Sequence, residues 1–447
     1  GDEYLYGTDP NVADTDGDSL TDGDEINGTA GSRPATNPLV VDTDGDGLSD
    51  AVETNTGTWV DANDTGTDPT DTDYDNDGLS DGVETNTGTL VDRFDSGTDP
   101  YSADTDADGA GDYYEVVAAF TDPNNDQELP SVPYPLPDPD PADLGLTEAP
   151  VKVYIMSGQS NMVGIGYMGD VTQPGSMEAI TKVDNKFPNF LDAENAYSKR
   201  NDVIYRGVVT ANTKNGPLTV RQGADGTRVG TELGFGHVMG YYHGEPVLLI
   251  KASQGNRSLA WDYAPPGSPR FDFEGTTYAG YGDTDENWPI GDEPTPGGWY
   301  GGKEYDQAFL DESDWAAAGQ DDAPLINAAD VLDCETGTLN NLPTEGNDLN
   351  GRTFEIAGFV WWQGHKDGGE ERTGTAGAYA NQYESRLERL INELRSEFNA
   401  PTAPFVVATV GFGGGGWDPG SSGDVIYNAQ LNVSDPTLYP AFESNVG

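Results

Sequence analysis

The sequence predicts an irregular repeat array with little regular secondary structure, followed by a three-layer α/β domain with a parallel sheet. An acidic motif recurs in residues 1–128, proline is frequent in residues 129–148, and strand-like and helix-like apolar runs alternate from residue 149 onward. Such alternation indicates an α/β domain whose sheet is parallel. We therefore divide the chain into a repeat segment (1–128), a semi-rigid proline-rich linker (129–148) and an α/β domain (149–447).

The formal net charge of −58 limits the partners of this 447-residue chain. So negative a protein repels nucleic acids and anionic membranes, but it suits divalent cations. No run of 18 apolar residues is present in the sequence, so no membrane span is predicted. The single cysteine, Cys334, excludes an internal disulfide framework.

The acidic motif has the form Asp-x-Asp-x-Asp-x-x-x-Asp-x-x-Glu and occurs four times. Its members are Asp14, Asp16, Asp18, Asp22 and Glu25; Asp42, Asp44, Asp46, Asp50 and Glu53; Asp73, Asp75, Asp77, Asp81 and Glu84; and Asp104, Asp106, Asp108, Asp112 and Glu115. Each copy starts four residues after the proline of an Asp-Pro or Asn-Pro pair. A solvated acidic linker needs no such register, so the spacing favours a structural motif.

This spacing matches positions 1, 3, 5, 9 and 12 of an EF-hand-type calcium loop. Position 6, where the loop turns sharply, is Gly47, Gly78 or Gly109 in three copies and Ser19 in the first. So many hard oxygen ligands favour several structural Ca²⁺ ions over Mg²⁺ or zinc. The flanks are too short for EF-hand helices, and the segment resembles thrombospondin type-3-like repeats, which are common in secreted bacterial proteins. The resemblance implies a chain wrapped around its ions, so we expect disorder without metal.

Both ends of the sequence are expected to fall inside a structural element. Glu3 occupies position 12 of an earlier motif copy, so the repeat segment is expected to start mid-repeat. The residues after the strand-like run 405–410 predict no closing strand and helix, so the α/β domain is expected to be truncated at its C-terminus.

Four strands and two helices are predicted in the α/β domain. The strands are Val151–Met156, Pro246–Ala252, Phe354–Trp362 and Phe405–Val410, and the helices cover 231–243 and 376–398. Three polar loops follow the first three strands, at Ser157–Asn161, Ser253–Ser258 and Gln363–Asp367. Because the carboxyl ends of parallel strands lie at one edge of a sheet, we expect these loops to converge on one site.

Residues 262–350 interrupt the pattern and are predicted to be a long insertion beside that edge. They are rich in Gly, Asp, Trp and Tyr and show little periodicity. Their aromatic residues include Tyr263, Tyr278, Tyr281, Trp288, Trp299 and Tyr300. Stacking on sugar rings and ordinary packing within the loop are both compatible with this composition.

Three stretches at the loops resemble the SGNH hydrolase superfamily, and more narrowly its sialate O-acetylesterase and acetylxylan esterase group. They are Gly158-Gln159-Ser160-Asn161-Met162, Lys251-Ala252-Ser253-Gln254-Gly255-Asn256-Arg257-Ser258-Leu259 and Trp362-Gln363-Gly364-His365-Lys366-Asp367. The resemblance implies a flavodoxin-like fold and a serine esterase without a catalytic cofactor. It implies that Ser160 is the nucleophile, that the N–H groups of Ser160 and Gly255 stabilise the oxyanion with Asn256 as a candidate, and that Gln363 is a third donor.

The proton acceptor for Ser160 is left open by the sequence. A serine nucleophile needs a base, normally histidine, and the chain contains only His237, His243 and His365. The resemblance implies a histidine near the C-terminus, but none follows His365. A base beyond the given sequence, His365 itself, and an inactive site are the alternatives, with Asp367 or a later aspartate orienting the base. His237 and His243 are predicted to be structural or surface residues.

Two functional hypotheses follow. The first is a secreted or cell-surface carbohydrate O-acetylesterase with a calcium-binding repeat stalk, acting on an acetylated glycan or polysaccharide. The second is a structural or adhesive extracellular protein whose esterase-like domain is non-catalytic. Other cell-surface components and self-assembly are further candidate interactions, and the location expected in either case is extracellular or at the cell surface of a bacterium.

Overall fold

The structure of the protein is a computed structural model. It describes residues 6–28, 33–119, 121–128, 136–140, 142–146, 148–209, 214–310, 326–368, 375–410 and 418–442. The chain forms two compact units, Gly1–Pro135 and Leu136–Gly447. The division falls within the predicted linker, but residues 129–135 of that linker lie outside the described residues, as does Glu3. The predicted domain boundaries therefore stay predictions.

The first unit consists mainly of turns. Beyond residue 6, its helices within the described residues are α1 (Asp22–Asn27), α2 (Asp112–Tyr114) and a π-helical turn, Glu115–Ala119. Among its described residues, the buried apolar side chains are Leu79, Ala110, Val116 and the prolines Pro38, Pro69, Pro100 and Pro123. Its other buried side chains are polar or acidic: Thr8, Asp18, Asp22, Glu25, Thr36, Asp50, Glu53, Thr65, Thr67, Asp81, Glu84, Ser96, Thr98, Asp112 and Glu115. An interior of this kind differs from the apolar cores of ordinary domains.

The second unit contains the sheet that carries the candidate site. The first elements of this unit, in chain order, are β1 (Val151–Gly158), α3 (Ser160–Val163), β2 (Gly166–Tyr167), α4 (Met177–Lys182), a 3₁₀ turn (Pro188–Phe190), β3 (Arg200–Gly207), β4 (Gly216–Leu218), β5 (Arg228–Val229), α5 (Thr231–Tyr242) and β6 (Val247–Ser253). The middle segment contributes β7 (Phe271–Phe273), β8 (Thr276–Tyr278), β9 (Asn287–Pro289), α6 (Lys303–Phe309), α7 (Ala328–Val331), β10 (Leu332–Asp333) and β11 (Thr338–Leu339). The remainder is β12 (Phe354–Trp362), α8 (His365–Gly368), α9 (Ala378–Glu397), β13 (Phe405–Val407), α10 (Ser422–Asn432) and a 3₁₀ turn, Pro440–Phe442.

The main sheet has six strands in the order β13-β12-β1-β6-β3-β4. The pairs from β13 to β3 are parallel, whereas β4 is antiparallel to β3. The prediction of an α/β domain with parallel strands is therefore confirmed, although the sheet is mixed at one edge. Neither β3 nor β4 was among the predicted strands. The four predicted strands are present, with the last one ending at Val407.

Both faces of the sheet are covered by helices, which gives three layers. Val153, Ile155 and Ile250 point into one apolar cluster, where α9 contributes Leu387 and Leu390. Met156, Val203 and Leu249 belong to a second cluster, in which α5 contributes Leu233. Because successive strand residues face opposite sides, a strand buried on both faces must be apolar at nearly every position. This explains the continuous apolar run that predicts β6.

A helix follows the last strand, contrary to the expectation that the closing helix is missing. In α10 the N-cap Ser421 accepts a hydrogen bond from the N–H of Asp424, and Ile426 and Ala429 are buried. The apolar positions of α10 are few, so its periodicity in the sequence is weak. The predicted truncation of the domain stays an expectation.

The middle segment, 262–350, contains regular secondary structure where it is described, which its weak periodicity in the sequence does not predict. Strands β7, β8 and β9 form a small antiparallel sheet, and β10 pairs with β11. Tyr305 and Phe309 of α6 and Val331 of α7 are buried in the same apolar cluster as Leu387. These elements are two to seven residues long, too short to show a period in the sequence. Residues 311–325 lie outside the described residues.

Candidate active site

The three polar loops meet at the carboxyl edge of the sheet, as their positions predict. Gly158 of β1 is level with Ser253 of β6 and with Trp362 of β12. The side-chain oxygen of Gln159 accepts hydrogen bonds from Gln363 Nε2 at 3.2 Å and from the Lys366 N–H at 3.1 Å. Gln363 Nε2 also donates to the carbonyl of Arg257 at 3.0 Å. Hydrogen bonds therefore tie the first loop to the third, and the third to the second.

Ser160 lies where the chain turns out of β1 into the short helix α3. The N–H of Gln159 donates to the carbonyl of Trp362 at 3.1 Å, the last contact before the chain leaves the sheet. Ser160 is half-buried, whereas its neighbour Gln159 is buried. Within the described part of the chain, the Ser160 hydroxyl has no hydrogen-bonding partner. The serine is therefore open to a substrate, but no base is in hydrogen-bonding contact with it there.

A buried ion pair lies beneath the turn at Ser160 and supports it. Lys251 Nζ donates to Glu232 Oε2 at 2.8 Å, to the Val163 carbonyl at 3.0 Å and to the Gln222 carbonyl at 3.2 Å. Both charged side chains are fully buried. Burial lowers the pKa of Lys251, and the charge of Glu232 acts in the opposite direction. Since Val163 ends α3, this pair fixes the end of the helix that begins at Ser160.

The predicted oxyanion donors differ in their surroundings. Gly255 and Asn256 are exposed in the loop after β6, and Asn256 has a left-handed backbone with φ of 60°. Gln363 is buried, and its Nε2 contacts Asp367 Oδ2 at 2.5 Å in addition to the two acceptors named above. An amide nitrogen has two hydrogens, so these three acceptors already compete for them. The role of Gln363 as a third donor stays a prediction, and it requires one of these contacts to be released.

Asp367 connects the third loop to the residues that follow the second loop. Its two carboxylate oxygens accept hydrogen bonds from the N–H groups of Leu259 and Ala260, each at 2.8 Å. Burial raises the pKa of Asp367 to about 6, although these hydrogen bonds and that of Gln363 act to lower it. Among the described residues no histidine is hydrogen-bonded to this carboxylate. Its observed contacts position the loop, and its predicted role in orienting a base stays a prediction.

The three histidines are placed differently. His365 begins α8 on the third loop and is half-buried, and within the described residues no hydrogen bond joins it to Ser160. His237 is 1% exposed, and burial together with the charge of Arg200 lowers its pKa to about 3. His243 is within 2.8 Å of the Tyr154 hydroxyl. His237 and His243 belong to α5 and its C-cap, so their contacts agree with a structural role.

Arg257 and Glu304 form a cluster beside the loops that the sequence analysis did not connect. Arg257 Nε donates to Glu304 Oε2 at 2.9 Å, and its guanidinium lies 4.5 Å from the centre of the Trp299 ring. Burial raises the pKa of Glu304 to about 7, against the opposing charge of Arg257. The two residues are 47 positions apart in the chain. No local spacing rule links residues so far apart, because only the tertiary fold of α6 brings them together.

The aromatic residues of the middle segment are mostly engaged in packing. Tyr263, Trp288 and Tyr300 are buried, and the Tyr281 hydroxyl donates to Asp306 at 2.7 Å. Tyr278 stacks on Phe271. Trp299 lies against the Arg257 side chain near the loops. The packing alternative therefore accounts for most of this set.

The acidic motifs of the first unit form compact clusters of carboxylates. In each copy, oxygens of the residues at positions 1, 3 and 5 lie within 4.8 Å of one another, as in Asp73, Asp75 and Asp77. Position 6 has a positive φ in all four copies, from 92° at Ser19 to 112° at Gly78, which explains the preference for glycine. The position-5 carboxylate accepts a hydrogen bond from the N–H at position 7, for example from Leu79 to Asp77 at 2.6 Å.

Several carboxylate oxygens in these clusters are buried and have no hydrogen-bonding partner among the described residues. They include Asp16 Oδ2, Asp18 Oδ2, Glu25 Oε2, Asp44 Oδ2, Glu53 Oε2, Asp75 Oδ2, Asp81 Oδ2, Glu84 Oε2, Asp104 Oδ1, Asp106 Oδ2, Asp108 Oδ2 and Glu115 Oε2. Buried anionic oxygens without donors are costly unless a cation neutralises them. Hard oxygen ligands in this number fit Ca²⁺.

Comparison with protein-family models identifies two segments. Residues 343–439 match the model described as carbohydrate esterase, sialic acid-specific acetylesterase. The esterase resemblance is confirmed. Residues 42–58 and 73–89 match the model of the bacterial thrombospondin type 3 repeat, which confirms the resemblance of the repeats. The matched esterase segment contains Gln363, His365 and Asp367.

Solved structures similar to this chain include three at low sequence identity. A protein from Arabidopsis thaliana is 14% identical, with a TM-score of 0.33, and 67% of this chain and 84% of that chain are covered. A carbohydrate acetylesterase from Xanthomonas citri is 14% identical, with a TM-score of 0.28 and coverage of 63% and 46%. NanS is 12% identical, with a TM-score of 0.29 and coverage of 67% and 74%. No curated protein matches the chain.

In the described part of the chain, no helix combines the length and the apolarity that crossing a membrane requires.

Substitution of two glycines at the site by alanine is predicted to change the stability of the protein by very different amounts. A Cβ atom on Gly158, whose φ is 143°, would lie 2.2 Å from the carbonyl oxygen of Trp362. Gly158→Ala should therefore lower the free energy of unfolding by about 2–4 kcal/mol. A Cβ on Gly255 meets no atom within 4 Å, so Gly255→Ala should change it by less than about 0.5 kcal/mol. Urea unfolding measures both, and equal stabilities of the two variants would contradict the placement of Gly158.

Asp367 is predicted to make the stability of the unit depend on pH. Its pKa is raised from the ordinary 3.8 to about 6, so the folded chain holds the proton more tightly than the unfolded chain does. The protonated Asp367 therefore adds to the free energy of unfolding. This stabilisation is complete below about pH 4 and is lost as the pH rises through about 6, at up to about 1.4 kcal/mol per pH unit. The free energy of unfolding of wild type minus that of Asp367→Asn, measured by urea unfolding between about pH 4 and pH 7, should fall with this slope. Parallel profiles would be inconsistent with the shift, and the exposed Asp418→Asn should follow wild type.

Proposed function

We propose that the chain is a carbohydrate O-acetylesterase whose nucleophile is Ser160. The observation that carries this proposal is the convergence of the three loops around an accessible Ser160. The match of residues 343–439 to a carbohydrate esterase family supports it and indicates the substrate class, an acetylated carbohydrate. Gln363 and Asp367, which join the loops, both lie within the matched residues.

In the proposed reaction, Ser160 Oγ attacks the carbonyl carbon of the acetyl ester and its proton passes to a base. The N–H groups of Ser160 and Gly255, with the Asn256 side chain, face the oxygen that becomes negative in the tetrahedral intermediate. Each such donor lowers the barrier by roughly 3 kcal/mol. The sugar hydroxyl leaves with a proton, and water then hydrolyses the acetyl-Ser160 ester to acetate. The Lys251–Glu232 pair holds α3, so that Ser160 keeps its position through both steps.

His365 is the candidate base, because it is the histidine that lies on the three loops within the described residues. It lies two residues after Gln363, and the hydrogen bond from the Lys366 N–H to Gln159 joins its loop to that of Ser160. The alternative is that His365 is not the base. Substitution of His365 separates them, because His365→Gln abolishes the acetyl transfer only if His365 is the base.

A second candidate function is a non-catalytic, glycan-binding or structural domain. It is favoured by one observation: the Ser160 hydroxyl has no hydrogen-bonding partner within the described residues. The same domain would then bind an acetylated glycan without cleaving it.

We also propose that the first unit binds structural calcium ions and holds the esterase unit away from a cell surface or matrix. Its buried, unpartnered carboxylate oxygens and its match to bacterial thrombospondin type 3 repeats support this role. Bound calcium supplies positive charge to the buried carboxylates, and the N–H groups of each loop hold those carboxylates in place. A secreted or cell-surface location follows from the same proposal, since calcium is abundant outside cells.

Substitution of Ser160 tests the esterase proposal. Acetate release from p-nitrophenyl acetate and from acetylated glycans should fall by about a thousandfold or more in Ser160→Ala, because no other residue would form the acyl-enzyme. Ser396→Ala, at an exposed position of α9, is the matched control and should keep the wild-type rate. Equal rates for wild type and Ser160→Ala would leave only the non-catalytic function.

Removal of calcium tests the role of the first unit. In excess chelator, we expect a larger hydrodynamic radius and a changed circular dichroism spectrum, because the buried carboxylates then repel one another. Restoring Ca²⁺ should reverse both changes, whereas the same ionic strength of NaCl should not. A radius and spectrum that do not respond to the chelator would show that calcium does not hold the unit together.

A further inference from the structure

The tip of the second loop, residues 254–257, is joined to the rest of the protein through Arg257. The residues before Arg257 in this tip are half-buried or exposed, and Gly255 is one of the exposed ones. Within the described residues, two hydrogen bonds link the tip to other parts of the chain. The Arg257 carbonyl accepts from Gln363 Nε2 at 3.0 Å, and Arg257 Nε donates to Glu304 Oε2 at 2.9 Å. The position of the tip therefore depends on Arg257 and its two partners.

Glu304 is a fixed partner for Arg257 because it lies on a packed helix. Its side chain is 1% exposed, and on the same helix, α6, Tyr305 and Phe309 are buried in the apolar core. The N–H of Glu304 donates to the carbonyl of Asp262 at 2.9 Å. A side chain on a packed helix is held more precisely than one on a loop. The loop tip is thus attached to the core of the domain.

A second carboxylate, Asp262, extends this attachment to the end of the loop. Asp262 Oδ1 lies 3.7 Å from Arg257 Nη1. Asp262 Oδ2 accepts hydrogen bonds from the Ser258 N–H at 2.8 Å and from the Ser258 hydroxyl at 3.0 Å. Arg257 therefore lies between two buried carboxylates, and Glu304 is the one to which its side chain is hydrogen-bonded.

The charge of Glu304 depends on the groups that face it. Burial raises the pKa of Glu304 to about 7; the charges of Arg257 and Lys303 act to lower this pKa, and that of Asp262 acts to raise it. Glu304 in turn helps to raise the pKa of the buried Tyr263. Glu304 Oε1 is buried and has no hydrogen-bonding partner among the described residues, so the carboxylate is stabilised through Oε2. The strength of its bond to Arg257 therefore changes near neutral pH.

We propose that Glu304 is a positioning residue for the esterase reaction, which holds the loop tip through Arg257 so that the Gly255 N–H faces the oxyanion. This inference rests on the esterase function proposed above. Gly255 lies two residues before Arg257, so release of the Arg257 side chain moves the N–H donor. A donor stabilises the developing charge only when it is already in place. Glu304 is too deeply buried to contact the substrate and acts only through Arg257.

Steady-state kinetics of the full chain test this role. Glu304→Gln keeps an acceptor for Arg257 but removes the charge. It should lower kcat for p-nitrophenyl acetate about tenfold and change KM by less than about twofold, because a displaced oxyanion donor weakens the transition state and not substrate binding. Glu335→Gln removes the same charge at an exposed position and should keep the wild-type kcat. An unchanged kcat in Glu304→Gln, with or without a raised KM, would overturn the proposal.

A double variant shows whether Glu304 acts through Arg257. Arg257→Lys keeps the positive charge but loses the Nε donor and the planar guanidinium. Residues that act as a unit are not additive, so the double variant should have a kcat no lower than that of the slower single variant. Losses that multiply in the double variant would show that Glu304 acts by another route, and the proposal would fail.

Hydrogen exchange measures the attachment of the loop without any need for activity. The N–H groups of Ser258 and Ala260 donate to the carboxylates of Asp262 and Asp367, each at 2.8 Å. At about pH 8 both should exchange at least about fivefold faster in Glu304→Gln than in wild type. The ratio of the two rates should approach 1 below about pH 6, since Glu304 is then neutral in wild type as well. Titration of Asp262 and Asp367 is common to both proteins and does not enter the ratio.

The exchange ratio separates this proposal from the esterase function. A ratio of 1 at about pH 8, or the same ratio at every pH, refutes the positioning role. If wild type releases no acetate, the esterase function fails, and the ratio still decides whether Glu304 holds the loop. The circular dichroism spectrum of Glu304→Gln should match that of wild type. If it does not, Arg257→Lys, at a partly exposed position, takes its place: a lower kcat with faster exchange supports the proposal, and no change refutes it.

Discussion

In the second unit, the parallel strands β1, β6 and β12 end side by side, and this alignment determines where the loops of the candidate site lie. Parallel pairing places Gly158, Ser253 and Trp362 beside one another, so the three loops after these strands must leave the sheet at the same edge. Side chains and backbone groups of the loops then suffice to join them, as Gln159 and Gln363 do. A slip of one residue in this register would turn each strand's buried side chains toward the opposite layer.

The surroundings of this edge combine buried charges of both signs. Lys251 and Glu232 compensate each other beneath α3, and Arg257 and Glu304 do so beside the second loop. Asp367 is in no ion pair among the described residues; backbone N–H groups and Gln363 are its hydrogen-bonding partners. Removing one member of a buried pair generally costs more than the pair contributes, because the remaining charge is left without compensation. The geometry around Ser160 is thus held by polar contacts that tolerate little change.

How far the sequence predicts the structure depends on the length of each signal. Long apolar runs predicted β1, β6 and β12, and the periodic run 376–398 predicted α9. Strand β3 was missed because Arg200 and Asp202 interrupt it; the two pair with each other in the structure, with Arg200 Nη2 2.5 Å from Asp202 Oδ2. The contact of Arg257 with Glu304 joins distant positions, and the carboxylate cluster of Asp46, Glu53 and Asp81 joins two copies of the motif. Neither can be read from spacing alone.

The packing of the middle segment limits how the sequence of this segment can change. Its helix α6 places Phe309 in the main core and Glu304 on Arg257, so one short helix serves both stability and the rim of the site. Replacement of this segment by another sequence would change the rim of the candidate site while leaving Ser160 in place, provided that the replacement also fills the volume of Phe309 and Tyr305. The volume of the core therefore limits which sequences this segment can accept, in addition to the contact of Glu304 with Arg257.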